Sequence, residues 1–483
     1  MLHRSTEETI QRRLATEHGR IERHGRRRIG LVYPSPYKVG MSSLGFQTIY
    51  RALNGLDDTV AERAFLPDPS DADGPILAYE SFRPVADSPV VAFSIAYELE
   101  LFGLLTCLEG MGLAALAKER DSRAPLVIAG GPLTFVNPWP LVPFVDAIVM
   151  GEAEPVLAPL TAALFHGGDR EAILDRLVLV PGVFVPGRSE GLPVIQRADG
   201  AALPARAAIW TSEASLANMF LIEVERGCSR GCTFCVMRRA ADCGMRLIAK
   251  ERVLAGIPEA APRVGLVGAA VSDHPEITGI VRALVEAGKE VGLSSLRADR
   301  LTRELVELLV RGGNRTLTVA ADGASERLRQ SLDKKISAEH LCVAADLAAE
   351  LAVPQLKLYV MVGLPDETDE DLEELATLTA ELRRRVGPKV KLILGVSIFV
   401  PKPGTPLVNA PFIGAGEAER RMTKLRSLIA GAASLIPASG RWAWVENLIA
   451  HGTAATGLEL LEAWRHGGSF AAIKRAAHAQ RGD

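Results

Sequence analysis

The chain has 483 residues, too many for one core and enough for two or three domains. Its 48% hydrophobic and 23% charged residues exclude long disordered regions, and a net charge of −3 excludes a global field for nucleic acid. No stretch approaches the ~20 apolar residues needed to span a bilayer. No apolar segment follows the N-terminal charges as in a secretory signal, so a cytoplasmic location is expected.

In chain order, residues 1–27 are rich in Arg and His and read as a solvated, basic amphipathic helix. Residues 28–187 alternate apolar runs with helical patterns. "RIGLVYP", "SPVVAFSIAY", "APLVIAGGP" and "FVDAIVMGEAEP" are strand candidates. Continuous apolar strands between helices predict a Rossmann-like parallel sheet, with ligands at the carboxyl ends of the strands. Those ends carry Ser35–Gly40, Ser94, Gly130–Gly131 and Gly151–Glu152. Residues 188–218, rich in Pro, Gly and charge, read as a linker with room for one hairpin.

Alternation resumes over 219–406. The strand candidates are "MFLIEVE", "RVGLVG", "VGLSSL", "RTLTVA", "QLKLYVMVG" and "KLILGVSIFV". Six βα units in that span fit a partial (βα)6 TIM barrel better than a full eight-unit one. Ser337 is a plausible N-cap for the helix that follows it. Residues 407–483 read as helical, either a C-terminal cap on the barrel or a lid lined by Trp442, Trp444 and Trp464. The fold class expected is α/β throughout.

Six cysteines occur, at 107, 228, 232, 235, 243 and 342. Cys107 and Cys342 lie in helical apolar patterns and read as inert core thiols. "EVERGCSRGCTFCVMRR" places Cys228, Cys232 and Cys235 on one tight loop directly after a strand, with Gly227 and Gly231 letting it turn. Three thiolates there can bind three irons of a cubane and leave the fourth without a protein ligand. The alternative is a structural zinc site, with Cys243 as fourth ligand.

This loop resembles the CxxxCxxC signature of the radical S-adenosylmethionine (SAM) superfamily. The resemblance implies a [4Fe–4S] cluster on Cys228, Cys232 and Cys235 whose open iron chelates SAM. One-electron reduction then yields a 5′-deoxyadenosyl radical, so a reductant such as flavodoxin or ferredoxin is implied as partner. It also implies SAM contacts at Phe234 in the loop and at the successive strand ends. These are Gly268, Ser272 and Asp273, then Ser294 and Arg297, then Asp322, Gly363 and Val400. The family's Gly-Gly-Glu triplet is absent from "VGAAVSDHP".

Residues 28–187 resemble the cobalamin-binding domain fused to many radical SAM enzymes. Tyr37, Gly40, Ser94, Gly130, Gly131 and Glu152 fall on its contact positions. Ser35 and Tyr37 replace the Asp and His that such domains use to ligate cobalt, which puts the cobalamin in doubt.

The leading expectation is radical modification of an unactivated carbon, as cobalamin-dependent methylation if cobalamin binds. Alternatives are a cobalamin-free radical rearrangement or dehydrogenation, and methylthiolation of tRNA or protein. The last requires three more N-terminal cysteines, where only Cys107 exists. A non-catalytic iron–sulfur or zinc sensor is the non-enzyme alternative. A small molecule or peptide is the expected substrate. Membranes are excluded, and nucleic acid is disfavoured but left open. No residue is assigned a catalytic role.

Overall fold

A computed structural model describes residues 2–68, 74–237 and 244–479. It divides into two units, Met1–Phe220 with Leu448–Asp483, and Leu221–Asn447. Among the described residues, no helix is long and apolar enough to cross a membrane.

The first unit opens with a helix over Leu2–Leu14 and a short strand β1 (Glu17–His18). Its sheet is built from β2 (Arg27–Tyr33), β3 (Thr59–Phe65), β4 (Val90–Ser94), β5 (Leu126–Gly130), β6 (Ala147–Val149) and β7 (Val183–Phe184). The order is β3-β2-β4-β5-β6-β7. All neighbours are parallel except β7, which runs antiparallel to β6. Leu31, Val91, Phe93 and Val127 are buried, as a sheet covered on both faces requires. Each such side chain contributes about 1.5–3 kcal/mol of transfer free energy.

Two features depart from the sequence reading. The strand β3 was not anticipated, because Glu62 and Arg63 interrupt its apolar run. Both are buried by pairing, Glu62 with Arg28 at 2.6 Å and Arg63 with Glu17 at 2.7 Å and Glu80 at 2.6 Å. The 188–218 segment pairs with distant chain rather than forming its own hairpin. Its strand β8 (Trp210–Thr211) lies antiparallel to β1, with Glu17 opposite Thr211.

The second unit contains β9 (Met219–Glu223), β10 (Glu225–Arg226), β11 (Arg246–Leu247), β12 (Arg263–Val267) and β13 (Glu290–Leu293). It continues with β14 (Thr316–Asp322), β15 (Gln355–Val362), β16 (Lys391–Ile398) and β17 (Ser434–Pro437). One sheet has the order β13-β12-β9, the other β14-β15-β16-β17, and a parallel bridge from Leu296 to Val319 joins them. The strands do not close into a barrel among the described residues. Ser337 caps its helix as expected, accepting the His340 N–H at 3.3 Å.

The region after Pro406 is not helical throughout. The helix Ala415–Leu428 ends before Gly431, whose φ of +80° no helix continues, and β17 follows as an edge strand parallel to β16. The residues from Leu448 onward cluster with the first unit. Asn137 Nδ2 donates to the carbonyls of Ile449, Ala450 and Gly452 at 3.2, 3.1 and 2.7 Å, satisfying groups left open at a helix end. Trp464 donates to the Thr106 hydroxyl at 3.2 Å, within the first unit.

Candidate active site at the strand ends of the second unit

Chain direction places the ends of β9, β12, β13 and β14 beside the cysteine loop. Gly227 turns the chain at a φ of +89°, and Cys228, Cys232 and Cys235 follow as free thiols. Gly231 packs against Asp333, and a side chain there would overlap the Asp333 carboxylate. The loop is held from the far side by the segment after the helix Glu326–Ser331. The Thr233 N–H donates to the Leu332 carbonyl at 3.0 Å, and the Cys232 sulfur lies 4.0 Å from the Asp333 carbonyl. Asp322, Asp333 and Lys335 all adopt positive φ, a strain that concentrates at functional sites.

The three sulfurs interact electrostatically with one another. Burial pushes the Cys232 and Cys235 thiols up. The Lys334 ammonium pulls both back, and Arg297 also acts on Cys232. A cationic flank of this kind favours the thiolates that iron requires. No three His, Cys, Asp or Glu side chains stand ready to hold a single ion among the described residues. In a cubane each thiolate binds its own iron, so the thiols need not share one coordination sphere. Cys243 lies outside the described residues.

An ion-pair network surrounds the loop. Arg230, within it, grips Asp273 with its Nε and Nη2 at 2.7 and 2.5 Å, and Arg300 adds a contact at 3.3 Å. Arg297 is buried and forks onto Asp299 at 2.9 and 3.1 Å, and it also donates to the Lys334 carbonyl at 3.0 Å. The Lys334 ammonium meets Asp322 at 2.5 Å. Asp273, Arg297 and Asp322, expected to face SAM, are thus already engaged in ion pairs. Ser272 accepts the Arg297 N–H at 3.0 Å.

The other expected SAM contacts are more dispersed. Ser294 is exposed and Phe234 half-buried. Gly363 ends β15 at a φ of +84°, and its N–H donates to the buried Glu367 carboxylate. Val400 is buried beyond β16.

Sequence reasoning missed Glu225. It is buried three residues before Cys228, and its Oε1 accepts the Ala270 N–H at 2.7 Å. Its Oε2 is buried without a hydrogen-bond partner. Gly268 makes room for this carboxyl group, since a Cβ there would stand 2.2 Å from Glu225 Oε1 unless the side chain moved. Burial, reinforced by Glu223 and Asp273 against the pull of the Ala270 N–H, pushes the Glu225 carboxyl up to about 7. Its folded-state value therefore lies above the ordinary carboxylate value. The stability it contributes is fully present below the ordinary value and is lost as pH rises through about 7. Ligand-free Glu225→Gln should then melt above the wild type at pH 8 and level with it near pH 5. Equal melting temperatures at both pH values would show that the carboxyl is not perturbed.

Asp273→Asn tests the network. It leaves Arg230 with only the longer contact to Asp299 at 4.0 Å and removes the carboxylate from Arg300, at a cost of about 1.5–3 kcal/mol for the lost charged bonds. Iron held by the reconstituted variant should be stripped by a chelator several-fold faster than from wild type. An unchanged rate would mean that this network does not hold the loop.

In the first unit, Tyr37 is buried, stacked on Tyr79 at 5.2 Å, and donates its hydroxyl to Glu17 at 2.7 Å. It faces the core and not a ligand at the strand ends, contrary to expectation. Gly40 is a packing position, where a Cβ would meet the Phe65 ring at 2.5 Å. Glu152 accepts the Ala198 N–H at 2.7 Å and so ties down the 196–198 segment. Ser94 and Gly130 are register partners on β4 and β5. Gly131 has a φ of +111°, and a Cβ would lie 2.5 Å from the Ile95 carbonyl oxygen.

A parallel α/β sheet followed by strands that present a three-cysteine loop defines the class, a radical SAM protein. Residues 222–379 match the radical SAM superfamily, and residues 45–186 match the N-terminal region of radical SAM proteins. The chain belongs to the radical SAM superfamily, whose members use a [4Fe–4S] cluster and SAM.

An uncharacterised protein of Methanocaldococcus jannaschii is 27% identical over 391 residues, 78% of each chain. An uncharacterised methyltransferase of Pyrococcus horikoshii is 23% identical over 273 residues, 54% of this chain and 59% of that one. Among solved structures, the cobalamin-dependent SAM radical enzyme OxsB with aqua-cobalamin bound gives a TM-score of 0.52 at 15% identity. That match covers 73% of this chain and 52% of OxsB, about half of its length. At that identity the likeness is one of fold.

Proposed function

We propose that the protein is a radical SAM enzyme that modifies an unactivated carbon, as a cobalamin-dependent C-methylation. The observation that carries the radical chemistry is the loop of three free thiols under the Lys334 ammonium. These residues suit a [4Fe–4S] cluster, with Cys228, Cys232 and Cys235 as its ligands. The strands β9 and β12–β17 read as an open, partial barrel around it. Bound together, cluster and SAM supply a carbon-centred radical once an external reductant such as flavodoxin or ferredoxin delivers an electron. The chain's own part is to hold and orient. The unpartnered Glu225 Oε2 would accept the SAM ammonium in place of the missing Gly-Gly-Glu carboxylate. Arg230, Arg297 and Lys334, each paired with a carboxylate, keep the loop closed.

Methylation rests on the first unit. Its strand ends carry small residues at Ser94, Gly130 and Gly131, and an exposed Tyr97, which suit a broad, flat ligand. The loop Ser35–Gly40 contains no histidine, and Tyr37 is bound to Glu17. The cradle therefore suits a corrinoid held without an imidazole from that loop on cobalt. OxsB, cobalamin-dependent and alike in fold over more of this chain than either unit alone supplies, supports this reading. The buried Tyr37 is also what favours the second reading, a cobalamin-free radical enzyme.

The visible spectrum of protein from cobalamin-fed cells separates the two. Methylation requires bound corrinoid in that spectrum. Corrinoid-free protein that still cleaves SAM would put the cobalamin-free reading first.

A further inference from the structure

The strands β14, β15 and β16 have two unlike faces. One buries Leu317, Val319, Leu356, Leu358 and Leu394. The other is more polar and open in part, with Ile393 buried beside Lys357. It carries Thr318, Lys357, Tyr359 and Ser397, of which Tyr359 is 41% exposed and Ser397 is exposed. Parallel register sets Tyr359 opposite Ala320 on one side and Gly395 on the other. Gly395 makes the room, because a Cβ there would stand 3.0 Å from the Tyr359 ring and 3.2 Å from Lys357 Cε.

Charge is the unusual feature of this face. The other lysines near the site are neutralised, Lys334 by Asp322 at 2.5 Å and Lys402 by Glu446 at 2.7 Å. The Lys357 ammonium instead donates to the Tyr359 hydroxyl at 3.3 Å and lies 4.7 Å from the Tyr359 ring centre. No carboxylate pairs with it among the described residues. The Tyr359 hydroxyl accepts from Lys357 and keeps its own proton to donate. A solvent-accessible ammonium and a phenol side by side, with Thr318 in register beside Lys357, present donors to an anion. Asp322 pairs with Val360, one position past Tyr359 on β15. The pair thus sits only ~3–7 Å along the strands from the Asp322–Lys334 corner of the site.

We propose that Lys357 and Tyr359 anchor an anionic group of the substrate, a carboxylate or a phosphate, on the open face of β14–β16. The proposal rests on the radical SAM reading for the statement that this ligand is the substrate. The anchor itself depends only on the face. It narrows the substrate class to small acids or phosphoesters.

The test is equilibrium dialysis of labelled inorganic phosphate and labelled malonate against SAM-loaded holoenzyme. Wild type should bind one of the two better, which distinguishes phosphate from carboxylate. Lys357→Met should weaken that anion about tenfold or more, Tyr359→Phe less, and Lys357→Arg should keep it within about threefold. Binding of neither anion by the wild type, or equal binding by Lys357→Met, would overturn the anchor. Iron content and SAM cleavage are measured on the same wild-type preparation. A preparation that binds the anion but does not cleave SAM would sink the radical reading and leave the anchor standing.

Discussion

Cys232→Ala should abolish SAM cleavage and leave a protein that holds less than about one iron per chain after reconstitution. Cys232 is the most buried of the three thiols and sits under the Asp333 carbonyl, with Thr233 hydrogen-bonded to Leu332. Losing this ligand opens the cubane on its protein side, where no other cysteine among the described residues can replace it. The loop itself should persist, because its turn is fixed by Gly227 and by the Arg230–Asp273 fork rather than by sulfur. The variant should therefore keep the wild-type circular dichroism and lose the cluster's visible absorbance. A variant retaining full iron and SAM cleavage would remove Cys232 from the ligand set.

The second large effect is expected far from the loop. Glu17→Ala should lower the melting temperature of the first unit by roughly 10 °C, from a loss of about 3–5 kcal/mol. Arg63 is fully buried, with Glu17 at 2.7 and 2.9 Å, Glu80 at 2.6 Å and the Tyr50 ring at 5.1 Å. Burial works against its charge, but Glu80 and Glu17 outweigh that and hold the guanidinium firmly protonated. Removing Glu17 strands half of this charge and also the Tyr37 hydroxyl. The double variant Glu17→Leu with Arg63→Met should recover most of the loss, since an apolar replacement of both partners avoids desolvation. If Glu17→Ala melts like the wild type, the ion cluster does not stabilise the unit.

These residues also show where the sequence could be read and where it could not. The strands β2, β4, β5 and β12 were legible from their unbroken apolar runs, and β15 and β16 from apolar residues recurring along one buried face. The strand β3 was hidden by Glu62 and Arg63, whose partners lie 34 and 46 residues away. The strand β17 was hidden by an amphipathic stretch that continues past the point where Gly431 ends the helix.

In the site, the cysteine spacing was local and therefore legible. The engagement of Asp273 by Arg230, 43 residues earlier, was not. Nor was Glu225, whose significance depends on the bond to Ala270 across a strand boundary and on an oxygen left open. Tyr37 was read as a ligand contact from its position in a motif. Its orientation was decided by Glu17 and Tyr79, neither of which belongs to that motif.

The most direct test of the central claim is anaerobic reconstitution of the full chain with iron and sulfide, followed by reduction in the presence of SAM. About four irons and four sulfides per chain, with 5′-deoxyadenosine released, is the result expected of Cys228, Cys232 and Cys235 holding a cluster with an open iron. Zinc alone on these cysteines, or a full cluster that leaves SAM intact, would contradict it.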